Sequence, residues 1–247
     1  MAPTAPPDTN SPDASQAAWL TLPSANTKAG ALIVDTHADY QCPFCKEAEV
    51  RYAPLLEELS DRGDIVWRVH FRSFLDQMLR NDSSTRSVIA ATCVDVADRT
   101  KFAAYNNAIF ANQPQEGRGF TDQQLMVDFT AAAGLTGDAL TTFKSCFTSQ
   151  ATLAWVQAVE KNNQSNKTNA NPPNKYLFGG NDQLCYANNK RAKCTDAGAV
   201  SAGVLSTPSF FAGGVEFGLG DLVNDDWSMK YKTADDLLTF LKGVAAG

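Results

Sequence analysis

Asp39-Tyr40-Gln41-Cys42-Pro43-Phe44-Cys45 constrains this chain more than any other stretch. A run from Ala31 to His37, almost continuously apolar at its start, leads into it and predicts a strand buried on both faces. Behind it Cys45, Ala48, Tyr52, Leu55 and Leu59 recur at three- and four-residue steps, which predicts a helix from Pro43 to Leu59. Pro43 suits the first turn, where no N–H is needed. Pro54 is expected to kink the helix, and Arg62-Gly63-Asp64 to end it. Lys46, Glu47, Glu49, Arg51, Glu57 and Glu58 fall on the outward face of this pattern. Ile65 to Phe71 alternates and predicts the next strand. A strand–helix–strand unit of this length implies a parallel pair joined by a right-handed crossover.

That placement gives the two cysteines a chemistry. A sulfur at a helix N-terminus meets unpaired N–H groups and the positive end of the helix dipole, which favour the thiolate. Thiolate is the reactive form. Cys42 is therefore the expected exposed nucleophile, and Cys45, one turn in, its buried resolving partner. The bland alternative is a static structural disulfide, but a ring closed at a helix start is a strained and reducible one. Asp39, next to the helix start, is expected to cap it or solvate the site, with Pro43 and Phe44 shaping the loop. His37 lies near the strand end and could stabilise the thiolate, although such a histidine is more often a plain strand side chain. Tyr40, Phe44, Phe210 and Phe211 are candidates to line an apolar groove, with core packing expected of at least one of the last two. A zinc site needs two close ligand pairs; Cys185 and Cys194 stand too far apart for that and have no nearby His, so no metal is expected.

The rest of the chain divides by composition. Residues 1–17, rich in Pro, Ala, Ser, Thr and Asp, predict a disordered leader without the apolar run of a signal peptide. Trp19-Leu20-Thr21-Leu22 predicts a first strand, and 18–80 carries the strand–helix–strand unit. From 81 to 162 the period is helical throughout. Cys93 shares one helix with Val88, Ala91, Val94 and Val96, and Phe102, Tyr105, Ile109 and Phe110 lie on a second. Thr121-Asp122-Gln123-Gln124 is a capping box, and Thr136 caps the helix of Phe143, Cys146 and Phe147. Trp155 and Val159 sit on a fifth helix. Residues 163–202 are dense in Asn, contain Pro172, Pro173 and the cysteines Cys185 and Cys194, and predict a surface loop. Two sequons there, Asn163-Gln164-Ser165 and Asn166-Lys167-Thr168, are expected chance matches. Over 203–247 Thr207-Pro208 precedes a hairpin, Phe210-Phe211-Ala212 and Val215-Glu216-Phe217 about Gly213-Gly214, and Thr233 caps a last helix carrying Leu237, Leu238, Phe240 and Leu241.

With 247 residues, 44% of them hydrophobic, the chain can build one sizeable core, or one domain with a large insertion. A net charge of −6 with scattered Lys and Arg argues against nucleic acid. No apolar run reaches the roughly 18 residues that span a bilayer. Six cysteines, an even number, fit an oxidising compartment.

Three features together resemble the DsbA-like thiol-disulfide oxidoreductases, and most nearly their actinobacterial extracytoplasmic members. They are Cys42-Pro43-Phe44-Cys45 after a strand, the long helical stretch, and Thr207-Pro208 just before a hairpin. The resemblance covers roughly residues 31–241. It implies an α/β thioredoxin fold with an inserted α-helical domain. It implies a cis proline at Pro208 beside the cysteine pair; without that pair a trans surface proline would be the expectation. A cis bond would bring the Thr207 backbone beside Cys42, free to pair with an extended substrate strand. The implied activity is disulfide donation to exported proteins by exchange at Cys42–Cys45, with no cofactor beyond the cysteines. The implied partners are unfolded exported proteins and a membrane reoxidase, DsbB-like or VKOR-like. The implied location is extracytoplasmic, with an N-terminal anchor upstream, and the implied state a monomer. Thioredoxin-like proteins often bury an acid under the second cysteine, and Asp35 and Asp39 are the candidates here.

Spacing does not fix the pairing of the outer four cysteines. Cys93 and Cys146, on separate helices, are expected to pair, as the actinobacterial members use a cysteine pair in the helical domain; such a loop contributes about 4 kcal/mol in the chain-entropy model. Cys185–Cys194 would close a short loop, worth about 2.5–3 kcal/mol, or serve as a second redox pair. Two alternatives to a disulfide-donating enzyme stay open: a reductase or isomerase of the same fold, and a disulfide-stapled binding module that presents the Asn-rich loop to a partner.

Overall fold

The apolar run after Gly30 forms the central strand of the molecule. The computed structural model describes residues 20–21, 26–165, 185–187, 190–192, 200–201, 207–213 and 215–246. The leader 1–17, Trp19, Leu22, the second sequon Asn166-Lys167-Thr168, Pro172, Pro173, Cys194 and 202–206 lie outside the described residues, and so does the Cys185–Cys194 pairing, whereas the first sequon, Asn163-Gln164-Ser165, falls on the last residues of a helix.

Among the described residues the elements run in chain order as follows. β1 is Leu20–Thr21, β2 Leu32–Asp39, α1 Pro43–Asp61 and β3 Ile65–Arg72. Then come α2 Leu75–Leu79, α3 Ser83–Asp98, α4 Phe102–Ala111, α5 Phe129–Ala132, α6 Gly137–Phe147 and α7 Gln150–Ser165. β4 Cys185–Ala187, β5 Lys190–Ala192 and β6 Val200–Ser201 form a small antiparallel sheet where the sequence predicts only loop. The chain closes with β7 Ser209–Ala212, β8 Val215–Phe217, α8 Leu219–Leu222 and α9 Ala234–Ala246.

The main sheet has the order β1-β3-β2-β7-β8. β2 and β3 are parallel, in register from Leu32↔Ile65 to Asp39↔Arg72, so α1 is the expected crossover. β7 is antiparallel to β2 and pairs with β8 about Gly213, whose φ of 55° suits a tight turn. α1 is two residues longer at its C-terminus than its apolar spacing predicts, with Arg62 as its C-cap and Gly63 directly after it. There φ is +73° and a Cβ would run into the Asn26 carbonyl, so only glycine fits. The helix runs unbroken through Pro54. The carbonyl that Pro54 leaves without an N–H belongs to Val50, which is exposed, so water can satisfy it.

α1 buries Cys45, Ala48, Tyr52, Leu56 and Leu59, and the sheet contributes Val34, Ile65, Trp67 and Val69 to the same core. Each such aliphatic side chain is worth about 1.5–3 kcal/mol on burial. Tyr52 donates its hydroxyl to the Leu222 carbonyl and so ties α1 to α8. Glu49 departs from its expected outward position. It is buried against α4, accepts from Asn106 Nδ2 at 3.2 Å, and Asn106 in turn accepts from Tyr40 Oη at 2.9 Å. Burial pushes its carboxyl up to about 7. Charge alone suggested solvent, but the spacing puts Glu49 four residues after Cys45, on the face that α4 covers.

Helices α3–α7 lie between β3 and β7 in the chain. Thr121 and Gln124 form the reciprocal capping box, at 3.0 and 3.2 Å. Thr136 takes the N-cap position of α6, yet its hydroxyl makes no capping bond. Cys93 on α3 and Cys146 on α6 are joined as a disulfide, with Cα atoms 5.5 Å apart.

Candidate active site

The turn between β2 and α1 places both sulfurs. The Cys42 N–H donates to the Asp39 carbonyl at 3.0 Å, and Cys42 is the N-cap of α1. Its carbonyl accepts from the N–H groups of Cys45 and Lys46 at 3.1 and 3.2 Å. Pro43 stands at the first turn. Cys42 and Cys45 are free thiols, Cys42 6% exposed and Cys45 fully buried. A hydrogen bond from the Cys45 thiol to the Cys42 sulfur, with burial opposing and the backbone N–H groups of Cys45 and Phe44 assisting, lowers Cys42 to about 6. Burial pushes Cys45 far the other way. One sulfur is thus a stable anion near neutral pH, and its partner a thiol.

The Thr207–Pro208 loop closes over them. Thr207–Pro208 is a cis peptide bond, and the Cys42 Sγ lies 3.5 Å from the Thr207 carbonyl oxygen. Although 165 residues separate the two in sequence, the β2–β7 pairing, His37↔Ser209, brings the loop to the end of β2.

Asp39 does not cap α1, which has no side-chain cap. Its carboxylate is fully buried and turned toward α2 and α3. Oδ1 accepts from the Gln41 N–H at 2.9 Å and the Ser84 hydroxyl at 2.5 Å, and Oδ2 from the Leu75 N–H at 3.2 Å. The Asp39 N–H is 3.5 Å from Cys45 Sγ. Burial outweighs these donors and raises the carboxyl to about 7. The other candidate acid, Asp35, belongs to a different cluster. It accepts two bonds of 2.7 Å from Arg68 and lies 2.7 Å from His70 Nε2. Burial works against its charge, but His70 and Arg68 prevail and hold it below the usual carboxylate range.

His37 stacks on His70 with ring centres 4.4 Å apart and meets the Phe211 ring edge-on at 5.6 Å. Burial pushes it well down, so it is neutral at physiological pH. The structure thus places it within the sheet's buried polar cluster and not against the sulfurs.

Of the four expected groove residues only Phe44 lines one. Tyr40 stacks on Phe71 at 4.5 Å, Phe210 on Phe217 at 5.3 Å, and Phe211 is fully buried; all three are core. Phe44 is 52% exposed and stacks on Trp227 at 5.8 Å, itself 42% exposed. With Pro208, Leu219 and Val223 they line a groove of about 420 Å³. Trp227 has φ of 64°, a left-handed backbone that a bulky residue adopts only when its surroundings impose it. The Trp227 N–H donates to the Asn224 carbonyl and the Asn224 N–H to the Ser228 carbonyl, both at 2.9 Å. A second residue missed by sequence reading is Gln113, just after α4. Its Nε2 donates to the Tyr40 and Cys42 carbonyls at 2.8 and 3.0 Å and fixes the loop before the nucleophile.

A strand, a Cys-x-x-Cys at a helix N-terminus and a Thr-Pro loop facing it on a mixed sheet define a dithiol protein of thioredoxin architecture. The family model described as thioredoxin matches residues 26–173, and the chain belongs to that family. It is similar in structure to DsbA from Mycobacterium tuberculosis, with a TM-score of 0.57, 18% identity and 93% of each chain covered. It is similar to MdbA, a thiol-disulfide oxidoreductase from Corynebacterium diphtheriae, with a TM-score of 0.57 and 17% identity over 89% of this chain and 86% of that one. BdbD from Bacillus subtilis aligns with a TM-score of 0.54 and 14% identity over 94% and 97%. No curated protein sequence matches the chain. Among the described residues no helix is long and apolar enough to cross a membrane.

Proposed function

We propose that the protein is a thiol-disulfide oxidoreductase that donates the Cys42–Cys45 disulfide to exported proteins outside the cytoplasm. The observation that carries the reading is the asymmetry of the pair: Cys42 lowered to about 6 beside the Thr207 carbonyl, and Cys45 buried and raised. In the oxidised protein a substrate thiolate attacks Cys42 Sγ, the Cys42–Cys45 bond breaks, and Cys45 leaves as a thiolate that takes up a proton. A second substrate thiolate then attacks the substrate sulfur of the mixed disulfide. Cys42 leaves with its electron pair, the substrate is oxidised, and the protein is reduced. A low-pKa leaving group favours this direction. The Thr207 backbone offers an extended substrate a strand-like partner beside the sulfur, a recognition mode tolerant of sequence.

The reduced pair needs an electron acceptor for each new cycle, and a membrane-bound reoxidase of the DsbB or VKOR type suits that task. Location outside the cytoplasm fits a chain with a buried Cys93–Cys146 disulfide. The test is oxidative refolding of a reduced, unfolded protein by the oxidised wild type and by Cys42→Ala. Wild type is expected to restore the substrate's activity and Cys42→Ala to leave the background rate; equal rates would sink the reading.

A further inference from the structure

Tyr40-Gln41-Cys42 joins β2 to α1, yet side chains of the helical stretch after β3 hold it. Tyr40 donates its hydroxyl to Asn106 on α4 at 2.9 Å. Gln41 is buried against α2 and α3. Its Nε2 lies 3.0, 2.8 and 2.9 Å from Asp76, Asn81 and Ser84, and its Oε1 accepts from Asn81 Nδ2 at 2.8 Å. The carbonyls of Tyr40 and Cys42 are both taken by one group, the side-chain amide of Gln113, at 2.8 and 3.0 Å. Two carbonyl oxygens need a donor, so the amide nitrogen faces them and its two protons serve one carbonyl each. Gln113 is itself set by the end of α4. Its own N–H donates to the Phe110 carbonyl at 3.2 Å, and Pro114 directly after it disfavours any continuation of the helix.

Neither carbonyl has an easy substitute for this donor. Tyr40 is fully buried, so water cannot replace Gln113 at its carbonyl, and a buried carbonyl left unpaired drives its peptide to turn. The Cys42 carbonyl opens the ladder of α1 by accepting from the Cys45 and Lys46 N–H groups, and Cys42 holds the extended N-cap backbone, with ψ of 117°. The direction of that carbonyl therefore sets how the first turn of α1 meets the Cys42 sulfur. The N–H groups of Phe44 and Cys45 reach the sulfur from that turn, and the Thr207 carbonyl oxygen lies 3.5 Å from it on the other side of the sequence gap. A turn of the Tyr40 or Cys42 peptide swings the sulfur away from both.

We propose that Gln113 is a positioning residue for the dithiol reaction: its side-chain amide, delivered by the end of α4, pins the Tyr40 and Cys42 carbonyls and so keeps the Cys42 sulfur at the N-terminus of α1 beside Thr207. The proposal rests on the disulfide-exchange reading above. It makes the helical stretch more than a cover, because one amide from it sets the reactivity of a cysteine that stands on the sheet side of the loop. Gln113 touches neither sulfur, and its effect passes through the backbone of the loop alone.

The test titrates the Cys42 thiolate of the reduced, full-length protein by its absorbance and measures the equilibrium of the cysteine pair with glutathione at pH 7. Gln113→Met keeps the length of the side chain and removes both donors. The midpoint is expected at about 6 in wild type. In Gln113→Met it moves up by about half a pH unit or more, because the N–H groups at the sulfur lose their aim. The equilibrium constant for reduction of the pair by glutathione then falls about two- to threefold at pH 7. Gln113→Asn keeps the amide but is one methylene too short to span both carbonyls; it moves the midpoint in the same direction and serves if Gln113→Met does not fold. Asn112→Ala is the control. It removes a bond at the same helix end, from Asn112 Nδ2 to the Ala108 carbonyl at 2.9 Å, and leaves the Cys42 midpoint in place. A role of Gln113 confined to stability would lower the unfolding midpoint without moving the titration. A Cys42 midpoint unmoved by loss of the amide, or moved as far by Asn112→Ala, overturns the proposal alone. Failure of oxidised glutathione to oxidise the wild-type pair overturns the exchange reading and the proposal with it.

Discussion

Cys42 is the group whose titration carries the most consequence. Its pKa of about 6 lies well below that of an ordinary thiol, about 8.5. At pH 7 the folded reduced protein then holds about nine-tenths of Cys42 as thiolate, against about 3% for an unperturbed thiol. Because the folded value is the lower one, the stabilisation of the reduced fold is full above about pH 8.5 and is lost as pH falls through about 6. At pH 7 it amounts to about 1.4 kcal/mol, which for a two-electron couple is about 30 mV toward an oxidising protein. Cys45 is shifted the opposite way and subtracts only above about pH 8.5, where an unfolded thiol would ionise, so the gain is read between pH 6 and 8. The assay is thiolate absorbance of the reduced protein against pH, with the oxidised protein as baseline. The expected midpoint is about 6 in wild type, and Cys45→Ala, which removes the largest lowering influence, moves it up by about one unit. A wild-type midpoint near 8.5, or one that Cys45→Ala leaves in place, would refute the electrostatic argument.

Trp227→Ala opens the groove beside Phe44; KM for a peptide substrate with an apolar residue next to its cysteine should rise several-fold while the Cys42 titration stays unchanged, as read by steady-state kinetics and absorbance. Glu49 has a folded pKa raised to about 7, so its charge costs stability as pH rises from its unfolded value through 7. Glu49→Gln should therefore gain up to about 3 kcal/mol at pH 8 in urea unfolding, with the gain vanishing below about pH 4.5. Replacing Cys93 and Cys146 together by Ala should cost about 4 kcal/mol by chain entropy for a separation of 53 residues, measured by the same unfolding.

What the sequence shows of this molecule follows the range of the forces involved. Cys42, Cys45, Pro43 and the β2–α1–β3 unit are legible because local spacing and the helix terminus define them within some forty residues. The hairpin about Gly213 and the capping box at Thr121 are local in the same way. Ser84, Gln113 and Trp227 are not legible, since nothing in their own neighbourhoods marks them, and tertiary packing alone brings them to the cysteine loop. Glu49 shows the opposite error: its charge suggested solvent, while its spacing from Cys45 already set it on the covered face. Asp39 was legible as a residue beside the motif, and as one of two candidates for a buried acid through the family resemblance, but not in its surroundings, because the donors that hold it come from α2 and α3.

The direction of the chemistry is tested most directly by the redox potential of the Cys42–Cys45 pair. The protein would be equilibrated with glutathione buffers of graded composition and its thiol content read after acid quenching. A disulfide donor is expected to be half-reduced above about −200 mV, toward the oxidising end of the thioredoxin-fold range. A value at or below about −270 mV, where thioredoxin itself lies, would contradict the account and make the protein a reductant.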